Sequence, residues 1–99
     1  MLKAAFVFIA PKADGRQHRS VIATPEVELT TVGVGDYAAA AVVVKELVNQ
    51  GVVAVELCGG FGIHGVAAVK EAAQGNAAVG VVRFDCHPGL GGKSGDELF

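Results

Sequence analysis

The chain has no tryptophan, a single tyrosine and five phenylalanines among its 99 residues. So few aromatic rings argue against a surface on which nucleic-acid bases stack. Charge is also scarce, at 18% of residues against roughly 25% in an average soluble protein. Lys and Arg never stand side by side, and a net charge of −2 offers nothing to a polyanion or an anionic membrane surface. Two cysteines are too few for a disulfide framework. No apolar stretch approaches the 18 or so residues of a membrane span. Lys3 with the apolar run Ala4 to Ala10 imitates a signal peptide. However, Pro11, Lys12 and Asp14 end the run early, without a small-x-small cleavage site. A buried first strand explains it better, and the expected location is the cytoplasm.

What the chain has is apolar residues, 52% of the total, and glycine, 14 residues. A single domain of this length buries only about 60–70% of its surface. So apolar a chain is therefore expected to be a homo-oligomer. Residues 1–99 read as one domain, with 86–99 a glycine-rich tail.

Lys3 to Ala10 is a continuous Phe/Val/Ile-rich run, as in a strand covered on both faces. Asp14 to Ile22 is ambiguous. Asp14 could cap a short helix there, which Gly15 weakens. After Thr24-Pro25, the segment Glu26 to Val34 alternates as an edge strand would. Asp36 to Gln50 is the clearest helix. Asp36 is its cap, Tyr37, Ala40, Val44, Leu47 and Val48 form its apolar stripe, and Gly51 is its stop. Its other face, with Ala38, Ala39 and Val42, is the candidate subunit contact. Val52 to Cys58 reads as a strand, Ile63 to Gln74 as a helix ended by Gly75, and Ala77 to Asp85 as the last strand. Pro88-Gly89 suits a type II turn. Strands alternating with helices predict an α/β domain, a small open, mostly parallel four-stranded sheet of flavodoxin-like order 2-1-3-4.

Ligands of open parallel sheets sit beyond the carboxyl ends of the strands. Here those ends carry Pro11 to Gly15, Cys58 to Gly62 and Asp85 to Gly89. Gly60-Phe61-Gly62-Ile63-His64-Gly65 satisfies G-x-G-x-x-G between a strand and a helix, with Asp85 further on. The glycines admit an anion close to the backbone, and the helix N-terminus points free N–H groups at it. A dinucleotide fold needs two such halves, so a smaller phosphate or carboxylate fits better. Glycines that merely serve a tight turn are the plain alternative. Alternation places Glu56 beside Arg83 and Cys58 beside Asp85 if the last two strands are in matched register. Arg83 is then either the structural partner of Glu56 or a bidentate grip on a ligand anion.

Cys58, before a helix N-terminus and with His64 or His87 as base, is a candidate nucleophile; an inert buried cysteine is the plainer reading. Cys58, Cys86, His64, His87 and Asp85 match no standard zinc spacing, so no metal is expected. His18 stands alone and reads as solvated.

Glu56-Leu57-Cys58-Gly59-Gly60-Phe61-Gly62 and Val82-Arg83-Phe84-Asp85-Cys86-His87-Pro88-Gly89, with Thr24-Pro25-Glu26-Val27 upstream, resemble a family of small bacterial proteins known only as a domain of unknown function. The resemblance spans nearly the whole chain. It implies a bacterial or archaeal cytoplasmic protein of this length, and brings no activity, cofactor or site residue with it.

The leading expectation is thus a homo-oligomer that binds a small anionic molecule at the strand ends. Gly59, Gly60, Phe61 and Gly62 amides and Arg83 would grip the anion, with Asp85 and His87 on its polar remainder. The rivals are a thiol enzyme built on Cys58, and a structural or regulatory assembly without a ligand.

Overall fold

In a computed structural model, described for residues 1–84 and 86–99, the chain forms a five-stranded sheet with two helices. The strands are β1 (Leu2–Ile9), β2 (Arg19–Ala23), β3 (Val27–Val34), β4 (Ala54–Leu57) and β5 (Ala78–Val81). Helix α1 (Tyr37–Asn49) joins β3 to β4, and α2 (Ile63–Ala73) joins β4 to β5. The order is β2-β3-β1-β4-β5, with only β2 antiparallel. The four parallel strands thus stand in the flavodoxin-like order the sequence predicts.

The fifth strand corrects the reading of residues 14–22. Asp14 begins a turn, not a helix: its carbonyl accepts from the Gln17 and His18 amides, and its Oδ1 accepts from the Arg16 amide at 2.9 Å. The chain then pairs Arg19–Ala23 with β3 and reverses at Thr24, whose Oγ1 accepts from the Val27 amide. The strand expected at the edge is therefore internal, with β2 outside it.

That hairpin also decides which face of the sheet is covered. The two crossovers, β3–α1–β4 and β4–α2–β5, step the same way across the sheet. Right-handed connections therefore place both helices on one face. A helix after β1 would have covered the other, and the hairpin stands in its place. β1 is consequently buried on one face only, contrary to the expectation of two. Ala5, Val7, Ile9, Val32, Val34, Val55 and Leu57 point to the helices and meet Ala40, Val44, Leu47, Val69 and Ala73. On the opposite side the ladder aligns Ala4, Phe6 and Phe8 with Leu29, Thr31 and Gly33.

Asp36 caps α1, its Oδ1 accepting from the Ala39 amide at 2.8 Å. Gly51, at φ +103°, turns the chain out of the helix as the sequence predicts. Among the described residues no helix is long and apolar enough to cross a membrane.

Candidate functional site

β5 ends at Val81, and its register sets Glu56 opposite Gly80. Glu56 therefore does not face Arg83, correcting the matched register inferred from alternation. The tight turn after α2 starts β5 at Ala78, whose amide bonds the Val53 carbonyl, and this fixes the pairing. Arg83 is exposed, beyond the end of the strand. Asp85 lies outside the described residues, so its expected places beside Cys58 and at a ligand do too.

The glycine loop after β4 is buried from Gly59 to Gly62, and the chain's own groups occupy three of its amides. The Gly60 amide donates to Cys58 Sγ at 3.3 Å, Phe61 to the Cys58 carbonyl, and Gly62 to the Tyr37 hydroxyl at 3.0 Å. Gly62, as the N-cap of α2, offers that helix no side chain. The anion the helix N-terminus attracts is Asp96, from the C-terminal tail. Its Oδ1 accepts from the His64 amide at 3.2 Å and from the Tyr37 hydroxyl at 3.0 Å. A carboxylate on the second amide of a helix is the job of an N-cap side chain, performed here by a residue far downstream.

Two of the motif's three glycines, Gly62 and Gly65, are explained by this docking. A Cβ at Gly62 would fall on the Asp96 carboxylate, and one at Gly65 would stand 2.5 Å from Tyr37 Cε1. Neither residue has a positive φ, so close approach, not backbone conformation, requires glycine. Tyr37 stacks on buried Phe61 at 5.6 Å between centroids and meets Phe99 at 6.3 Å. Burial, reinforced by the Asp96 charge, raises the Tyr37 phenol above its ordinary 10.0.

The tail is pinned by Asp96 and Phe99, with Leu98 largely exposed. Its Gly95–Glu97 turn carries a capping box between Ser94 and Glu97. Pro88–Leu90 is a 3-10 turn instead of the type II turn expected, because His87 Nδ1 accepts from the Gly89 amide at 2.9 Å and caps it. His87 also packs on Phe84 at 4.6 Å. Cys58 Sγ accepts from the Ile9 and Gly60 amides. The Cys58 and His87 side chains bond backbone amides, the bond of exposed His64 runs from its main-chain amide to Asp96, and none joins the thiol to an imidazole among the described residues. His18 is exposed, its Nδ1 accepting from the Asp14 amide. Among the described residues no group of three or more His, Cys, Asp or Glu side chains gathers as a metal site.

Beside the docked tail, at the carboxyl ends of β1 and β3, lies a cleft of about 760 Å³. Pro11, Lys12, Gly35 and Asp36 line one side; Gly89, Leu90, Leu98 and Phe99 line the other. Its size is that of a small-molecule site. Lys12 brings the only cation among the lining residues and holds φ +66°, a left-handed conformation that non-glycine residues seldom adopt. Sequence reasoning missed Lys12, Tyr37 and Asp96 as site residues. The Ser94-x-x-Glu97 spacing is a signal that would have ordered the tail and drawn attention to Asp96.

An open α/β sheet with its glycine loop against its own tail defines a class of fold, and the family follows from the sequence. Residues 2–97 match the model of a family of unknown function, DUF6506, and the chain belongs to that family. No curated protein and no solved structure matches it.

Proposed function

We propose that the protein binds a small monoanionic molecule in the cleft between Lys12 and the C-terminal tail. The observation that supports this reading is the cleft itself, of ligand size and at the strand ends where parallel sheets bind their ligands. Pro11, Leu90, Leu98 and Phe99 offer an apolar wall to the body of the molecule, and Lys12 attracts a carboxylate or phosphate. Asp36 also lines the cleft. One of its oxygens is committed to the α1 cap, and its charge opposes a second anionic group on the ligand. A hydroxyl or amine on the ligand suits it instead. The glycine loop does not serve as the grip in this reading, because Asp96 takes the place an outside anion would occupy.

Thermal unfolding against a panel of monocarboxylates, sugar phosphates and nucleotides tests the proposal at matched ionic strength. A ligand at a hundred times its dissociation constant adds about 2.7 kcal/mol, a shift on the order of ten degrees in a domain of this size. The expected result is a shift with an apolar monoanion that Lys12→Ala removes while the variant stays folded. A shift that survives Lys12→Ala, or none with any anion, contradicts it.

A further inference from the structure

The face of the sheet away from the helices is apolar and lies outside the cleft. Across it stand Leu2, Ala4, Phe6 and Phe8 of β1, Leu29 and Thr31 of β3, Ile22 of β2 and Ala54 of β4. Leu2 is 46% exposed and Ile22 57%. Glu56 is the one charged strand residue whose ladder partners, Phe6 and Gly80, set it on this side. Among the described residues neither helix packs here.

We infer that this face is the interface with a second copy of the chain, sheet against sheet. Size selects the occupant. Five strands at about 4.8 Å spacing span ~19 Å, and β1 and β3 run ~26 Å. The plane is on the order of 500 Å², larger once side-chain relief is counted, and approaches the roughly 800 Å² per partner of a standard interface. A single helix about 10 Å wide would cover only half that breadth, whereas a second sheet of the same width covers it all at the ~10 Å spacing of stacked sheets.

Polar complementarity selects the arrangement. A two-fold axis along β1 lays β4 over the partner's β3 and preserves height along the strands. Glu56 and Thr31 both pair with Phe6, so they share a height. The rotation therefore sets Glu56 opposite Thr31 of the partner subunit, whose hydroxyl can donate to the carboxylate. The one charged strand residue that the ladder sets on this face thus meets a donor, as a buried charge requires. The exposed face of α1, with Val42, is left outside the interface.

Sedimentation equilibrium of the full chain tests this, with Ile22→Glu and Leu2→Glu at exposed positions that leave the core intact, Phe6→Lys at the centre, and Val42→Glu as a control on α1. The expected result is a dimer weakened by about tenfold or more in each sheet-face variant and unchanged in Val42→Glu, with wild-type circular dichroism in the two exposed-site variants. A monomeric wild type overturns the inference. So does an assembly lost in Val42→Glu but kept in Ile22→Glu and Leu2→Glu.

Discussion

Tyr37 is where the tail, the glycine loop and the core meet. Its ring fills the space Gly65 leaves, and its hydroxyl accepts from the Gly62 amide and donates to Asp96. Removing that hydroxyl leaves a part-buried amide without its acceptor, so Tyr37→Phe is expected to cost about 1–3 kcal/mol. The cost depends on pH in a defined direction. The folded phenol is raised above 10.0, by burial first and then by Asp96. The fold therefore favours the neutral form. That stabilisation is fully present below pH 10.0 and is lost as pH rises through the folded value above it. Urea unfolding at pH 8 and at pH 11 checks this: the gap between wild type and Tyr37→Phe narrows at the higher pH. A constant gap contradicts the assignment. Tyr37 is legible in the sequence as part of the α1 stripe, but its polar role is not, because neither partner is near it in the chain.

At the scale of elements, α2 begins on a glycine without a side chain and is capped by Asp96. Asp96→Ala is accordingly expected to cost about 1 kcal/mol, as loss of an N-cap does, and to expose the His64 amide to hydrogen exchange. Asp96→Asn, which keeps an acceptor oxygen, recovers most of both. Equal losses in the two variants would mean that Asp96 does not act as a cap. Elements with one buried face were located correctly from sequence, although β1 was expected to be covered on two faces. β1, β3, α1, β4 and α2 carry long or periodic apolar patterns, and their order follows from two right-handed crossovers. β2 escaped because all five of its residues are exposed, leaving no burial pattern to read. The Glu56–Arg83 pairing failed because alternation fixes the side of a strand but not its start, which the turn before Ala78 decides. The G-x-G-x-x-G motif was read correctly as a turn leading into a helix, and the side chain at that helix N-terminus is an anion of the chain itself, Asp96. Which anion depends on where the tail returns, and no local pattern around Gly62 carries that.

At the scale of the molecule, one hairpin in place of a first crossover helix divides the protein's surfaces. It leaves one sheet face bare of helices, the face inferred above to meet a second copy, while the strand ends hold a docked tail with a cleft beside it. The central claim is that the glycine loop serves the tail and leaves ligand binding to the Lys12 cleft. Amide NMR of the wild-type protein, titrated with the monoanion that most raises its melting temperature, tests both halves in one spectrum. The account predicts shifts at Lys12, Gly35, Asp36 and Phe99, with the Gly62 and His64 amides unmoved. Shifts centred on Gly62 and His64, with Lys12 unaffected, would mean that the anion displaces Asp96 and binds at the glycine loop.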